Sequence, residues 1–197
     1  MPPRNSDNAD GAAYKAAGVD IDLAHNLLDK VKKELAATRT PDVLSEDGGF
    51  GGLFRVDTAR FEEPVMVSSI DGVGTKVMVA SMVQQYASLG HDIVNHCIND
   101  IAVQGATPLF FMDYLGIGHL RSPLYEQLLS GIANACAKQN VAVLGGETAE
   151  MPGVYNEHFD LVGSVMGMVD RQAIITGRDI APGDSIIGLP SNGLHTN

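Results

Sequence analysis

Basic residues are scarce in this sequence: 13 Lys and Arg stand against 24 Asp and Glu in 197 residues, a formal net charge of −11. No run of four basic residues occurs anywhere in the chain. Gripping a nucleic-acid backbone requires a surplus of cations to displace counterions, so nonspecific nucleic-acid binding is not expected, and an anionic membrane surface is disfavoured by the same argument. Long apolar runs are also missing. The uncharged stretch Val77 to Leu89 carries Ser81, Gln84, Gln85 and Ser88, and nothing approaches the ~20 apolar residues of a membrane helix. Met1 to Gly11 lacks the apolar stretch of a secretory signal and reads as a loose polar tail. The only two cysteines, Cys97 and Cys136, have no C-x-x-C spacing, which fits free, buried thiols in a reducing compartment. The expected location is the cytoplasm.

The familiar phosphate and metal signatures are absent as well. Gly72-Val73-Gly74 and Gly116-Ile117-Gly118 both lack the third glycine of a dinucleotide fingerprint, and Arg121 stands where the second would need it. There is no P-loop, and Gly74-Thr75-Lys76 is the nearest glycine-then-lysine arrangement. The six histidines form no H-x-x-x-H or H-E-x-x-H pattern, which argues against zinc. Cys97 beside His96 is the one tempting nucleophile pair, but neighbouring helical residues point about 100° apart.

What the sequence has is alternation of helix and strand signals around acid-and-glycine clusters. Apolar residues at three and four residue steps predict helices over Asp20–Ala37, Val77–Leu89, His91–Gln104 and Pro123–Gln139. Short apolar, β-branched or aromatic runs predict strands over Val65–Ile70, Pro108–Leu115, Val141–Leu144, Leu161–Val169 and Ser185–Leu189. Ser45 to Gly52, with four glycines, has too much backbone freedom for regular structure and reads as a mobile loop. The mixture indicates an α/β (α+β) domain without internal repeats. Three segments are expected: a tail over 1–13, a main domain over 14–177, and 178–197 as a linker and the start of something further.

Three acids recur in similar settings. Asp71 and Glu147 follow apolar strands and sit beside glycines, while Asp100 is embedded in an otherwise apolar helix. Carboxylates there are costly to bury without a cation, and Mg²⁺ prefers oxygen ligands and commonly bridges one or two carboxylates to a nucleotide's phosphates. Read singly, Asp71 can cap a helix, Glu147 can lie on the surface, and Asn99-Asp100 can form a local pair. Read together, the three point to a metal-assisted phosphate site.

At the level of whole motifs the chain resembles the phosphoribosylformylglycinamidine cyclo-ligase (aminoimidazole ribonucleotide synthetase) family. The resemblance rests on Tyr14–Asp22, Gly48–Gly51, Asp71–Lys76, Asn99–Ala106, Pro108–Tyr114 and Gly145–Gly153, in the family's order. It implies the family's N-terminal fold, a mixed sheet flanked by helices whose sheets pair into a barrel across a homodimer. It also implies a reaction: ATP phosphorylates the amide oxygen of formylglycinamidine ribonucleotide, a nitrogen closes the imidazole, and ADP and phosphate leave. Matched by motif, Asp71, Asp100 and Glu147 are the expected Mg²⁺ ligands. Gly48, Gly49, Gly51, Gly52, Gly72, Gly74, Thr75 and Lys76 complete the expected ATP site, the loop Gly48–Gly52 covering it. Lys76 and His195 are candidate catalytic residues, and His195 and Asn197 candidate substrate contacts. Family members continue beyond the motif that ends at Asn197 into a second domain, so the chain is expected to hold the first domain and the start of the second.

Two other readings stay open at this point. Relatives sharing the fold, selenophosphate synthetase and thiamine monophosphate kinase among them, fit less well, because no early reactive cysteine and no early paired aspartates occur. A noncatalytic dimerising module that binds nucleotide is the alternative of a different class.

Overall fold

The structure, a computed structural model, describes residues 21–46, 50–191 and 193–196. The expected tail over 1–13, the Tyr14 motif as far as Asp20, and Gly48, Gly49 and Asn197 lie outside the described residues. Helices are Ile21–Ala36 (α1), Lys76–Val83 (α2), Ala87–Ala102 (α3), Ser122–Lys138 (α4) and Pro152–Tyr155 (α5). Strands are Pro64–Gly72 (β1), Thr107–Ile117 (β2), Ala142–Glu150 (β3) and Phe159–Asp170 (β4). They form one sheet in the order β1-β4-β2-β3, parallel only between β2 and β3, which α4 connects.

One face of this sheet carries the core. Phe111 and Leu115 of β2 and Leu161 and Val165 of β4 are buried against Leu89, Ile93 and Ile101 of α3 and Leu128 and Ile132 of α4. Strand alternation sets the pattern, since every second residue of β4 from Phe159 to Val165 is buried. The two helices approach closely where Gly90 faces Gly131, and a Cβ on Gly90 would stand 2.4 Å from the Leu128 carbonyl. Glycine is required there because backbone meets backbone. α1 adds Leu27 and Val31 to the same layer, and Thr38 ties its end to β3 by accepting the Val143 N–H at 3.0 Å.

The opposite face is far less covered. Met66 and Ile70 of β1 are exposed, and Phe110, Met112 and Tyr114 of β2 and Val162 and Met166 of β4 are half-buried. Phe54 covers part of it, its ring 5.1 Å from that of Phe110, and Tyr155 covers another part above Gly116.

Several elements differ from expectation. The helix expected over Val77–Leu89 ends at Val83, because Gln84 takes a left-handed conformation (φ 54°) and α3 starts afresh at Ala87. β1 and β3 run on to Gly72 and Glu150, so Asp71 and Glu147 lie inside strands. Inter-strand hydrogen bonds extend the ladder through residues whose intrinsic preference is for turns. The strand expected over Ser185–Leu189 does not form: this stretch is irregular, and Ile186 is fully exposed, because among the described residues no strand pairs with it.

Candidate functional site

β1 turns Ser69 and Asp71 toward the helices, and α3 turns Asp92, His96 and Asp100 back toward β1. The last three lie four residues apart along one helix face. Asp71 Oδ2 is 2.8 Å from His96 Nε2, and Asp100 Oδ2 is 4.0 Å from the same nitrogen. Ser69 Oγ donates to Asp100 Oδ2 at 2.7 Å, and the Gly72 N–H donates to Asp71 Oδ1 at 2.7 Å. One atom each from Asp71, His96 and Asp100 lies within 4.8 Å of the others. Two carboxylate oxygens this close repel unless something positive lies between them, and their oxygen chemistry suits a divalent ion such as Mg²⁺. The residues present therefore fit the metal that the sequence motifs imply.

The turn after β1 leads into this cluster. Gly74 adopts φ 70°, which favours glycine, and delivers Thr75 and Lys76 to the start of α2. Lys76 Nζ lies 2.5 Å from Asp92 Oδ2, an ion pair without hydrogen-bond alignment, and donates to the Leu194 carbonyl at 2.6 Å. The same end of the chain reaches His96, whose Nδ1 is 2.6 Å from Thr196 Oγ1 with Thr196 buried. Asp71 and Asp100 thus lie together beside His96, and Lys76 reaches α3 one turn earlier through Asp92. His195 is exposed on the same terminal segment, 3.3 Å from Ser191 Oγ.

Glu147 is not brought to that cluster within one copy of the chain. It aligns with Tyr114, which aligns with Val162, which aligns with Gly72, so three inter-strand steps or ~14 Å separate its backbone from the end of β1. The faces differ too. Thr148 hydrogen-bonds Tyr125 of α4, which puts residue 148 on the helix side and, by alternation, Glu147 on the open side. Gly52 lies against Leu144 of β3, where its Cβ would come within 2.4 Å of the Leu144 side chain, and Gly51 has open space around it. Gly51 and Gly52 are thus beside β3 and away from Asp71.

His96 is the residue that sequence reading missed. Searching for zinc spacings between histidines passes over a mixed Asp92-x₃-His96-x₃-Asp100 stripe, although its four-residue steps were visible. The cysteines are inert: burial pushes the Cys97 thiol up to about 12 and the Cys136 thiol upward as well. A further acid stands on the helix side of β2. The residue Asp113 keeps some exposed surface, yet its carboxyl is enclosed against Gly146, and desolvation pushes it up to about 7.

Among the described residues, no helix is long and apolar enough to cross a membrane. Over residues 55–169 the chain matches the family described as AIR synthase related protein, N-terminal domain. It is 46% identical over 186 residues to the phosphoribosylformylglycinamidine cyclo-ligase of Brevibacillus brevis, covering 94% of this chain and 54% of that protein. With the enzyme of the same name from Alkaliphilus oremlandii it is 48% identical over 185 residues, 93% of this chain and 54% of that one. The chain thus spans about half the length of the curated relatives it matches. Two solved structures share the fold. The thiamine-monophosphate kinase of Stenotrophomonas maltophilia gives a TM-score of 0.59 at 20% identity, over 75% of this chain and 43% of that one. A hydrogenase maturation protein HypE in complex with ATP gives 0.57 at 16% identity, over 81% and 44%. The family match, the mixed four-stranded sheet and its helix layer agree: this chain belongs to the AIR synthase related family and carries its N-terminal domain.

Proposed function

We propose that this chain supplies the Mg²⁺-ATP side of a cyclo-ligase that closes formylglycinamidine ribonucleotide into aminoimidazole ribonucleotide, releasing ADP and phosphate in purine biosynthesis. The observation that carries the reading is the approach of Asp71 of β1 to Asp100 of α3, with Lys76 of α2 held on the same face of α3 by Asp92, one turn before His96. An amide oxygen is a poor leaving group until it is phosphorylated, so the enzyme's first task is to place a γ-phosphoryl group against it. Bound Mg²⁺ neutralises the charge that develops on the transferring group. Asp71 and Asp100 hold the ion, and Ser69 and the Gly72 N–H keep their carboxylates oriented. Lys76 is held by Asp92 and keeps N–H capacity for a phosphate oxygen, which makes it a binding rather than proton-transfer group. Gly72, Gly74 and Thr75 line the same turn. Gly51 and Gly52 lie beside β3 on the side of Glu147, so they meet nucleotide held at Asp71 only from a second copy of the chain, while Gly48, Gly49 and Asn197 enter the reading by motif alone and His195 contacts substrate.

Glu147 stands on the open face of the sheet, where we place a second copy of the chain. The exposed and half-buried apolar residues of that face, Met66, Ile70, Met112 and Met166 among them, favour burial against an identical face. The second reading is a dimerising module that binds nucleotide without turnover, and the same exposed apolar face supports it. A coupled ADP-release assay with formylglycinamidine ribonucleotide, ATP and Mg²⁺ separates the two. Turnover by this chain supports the cyclo-ligase, nucleotide binding without turnover supports the module, and absence of Mg²⁺-dependent nucleotide binding contradicts both.

A further inference from the structure

We propose that His96 is a third protein ligand at the Asp71–Asp100 pair, and that its nitrogen makes the nucleotide-free site prefer first-row divalent ions such as Mn²⁺ over Mg²⁺. The proposal rests on the reading of Asp71 and Asp100 as metal carboxylates and extends it to a residue outside the motif-derived ligand set. Two donors each about 2.1 Å from an ion stand ~3.0 Å apart when adjacent and ~4.2 Å apart when opposite. The distances from His96 Nε2, 2.8 Å to Asp71 Oδ2 and 4.0 Å to Asp100 Oδ2, fall at those two values.

The other side of the ring supplies the orientation. Nδ1 lies 2.6 Å from the hydroxyl of Thr196, which is buried. When Nδ1 carries the proton it donates to that oxygen, and Nε2 turns its lone pair toward the two carboxylates. Histidine ligands are commonly fixed this way, with the second nitrogen held by an outer hydrogen bond that sets the tautomer. The helix contributes as well, because His96 and Asp100 are one turn apart on α3 and need no rearrangement of backbone to face one ion. Mg²⁺ favours an all-oxygen shell, whereas imidazole favours the transition ions, so replacing one oxygen donor by nitrogen shifts selectivity toward the latter.

The test is made on the full 197-residue chain with Mn²⁺ alone, without nucleotide. Pulsed EPR of the Mn²⁺-loaded protein is expected to show ¹⁴N modulation from a directly bound imidazole, lost in both His96→Asn and His96→Met. Competition is expected to require at least ~tenfold more Mg²⁺ than Mn²⁺ for half-occupancy in the wild type, and that ratio to fall in the variants. Absence of ¹⁴N modulation in the loaded wild type, its persistence in folded variants, or Mn²⁺ remaining fully hydrated would overturn the proposal. Asp71→Asn tests the underlying reading separately. If it retains Mn²⁺ with ¹⁴N modulation, the carboxylate assignment fails while the histidine assignment stands. Should either His96 variant not fold by circular dichroism, the wild-type spectrum still decides.

Discussion

Asp71 and Asp113 occupy matching places in the sheet and meet opposite surroundings. Both align with Gly163 of β4, Asp71 from β1 and Asp113 from β2, and both carboxyls face the helix layer. Beside Asp71 stand the His96 imidazole and the Gly72 N–H. Around Asp113 are the Tyr125 phenol, the Cys136 thiol and Gly146. The wall between the two is apolar: a Cβ on Gly163 would stand 2.4 Å from the Phe111 ring and 2.7 Å from Ile93. Residue type and register therefore do not decide what a carboxyl does. Its partners do. One aspartate is arranged to share a cation, while the other retains its proton toward neutral pH.

The strongest way to break this contrast is to remove each charge in turn. Asp71→Asn is expected to weaken Mg²⁺-ATP binding by more than ~100-fold, beyond what loss of an outer-shell partner costs. Asp113→Asn is expected to leave that affinity within about threefold, because the apolar wall of Phe111 and Ile93 at Gly163 stands between it and the cluster. Calorimetric titration of both variants measures the difference, and equal losses would erase the distinction.

A smaller effect follows from the proton on Asp113. Its folded-state value of about 7 lies above the ordinary 3.8, so the native state keeps a proton that the unfolded chain has already released. Ionising Asp113 in the folded state therefore opposes folding increasingly as pH rises from about 4 to 7, by ~2 kcal/mol after allowing for the residue's partial exposure. Urea unfolding across this range is expected to show the decline, and Asp113→Asn to flatten it. A parallel decline in that variant would place the titration elsewhere.

The wall itself is the next target. Gly163→Ala must displace the Phe111 ring and Ile93, and about 1–3 kcal/mol of destabilisation is expected from such overpacking. Thermal unfolding reads it directly. Least affected is Ser69→Ala, which removes one hydrogen bond to Asp100, worth ~1 kcal/mol, and should weaken Mg²⁺-ATP binding by less than about tenfold.

Much of this arrangement was legible beforehand because periodicity reports which face is buried. Apolar spacing located the four main helices and four strands, and Asp71, Lys76 and Asp100 were visible as acids and a lysine in apolar or glycine-rich settings. The remainder depends on long-range pairing. Strand order puts Glu147 three strands from Gly72, and nothing local to Gly145–Gly153 encodes that order. Ser185–Leu189 has a strand's composition but no partner, and Gln84 breaks a helix through a left-handed residue that apolar spacing does not reveal. His96 stood out only as a neighbour of Cys97, because its partners are aspartates, one of them on another element.

Calorimetric titration of ATP into the wild-type chain, with Mg²⁺ and again with EDTA, followed by the same pair of titrations on Asp100→Asn, tests the central claim most directly. The account predicts nucleotide binding that requires Mg²⁺ and is lost in Asp100→Asn. Equal binding in EDTA, or full Mg²⁺-dependent affinity in Asp100→Asn, would contradict it.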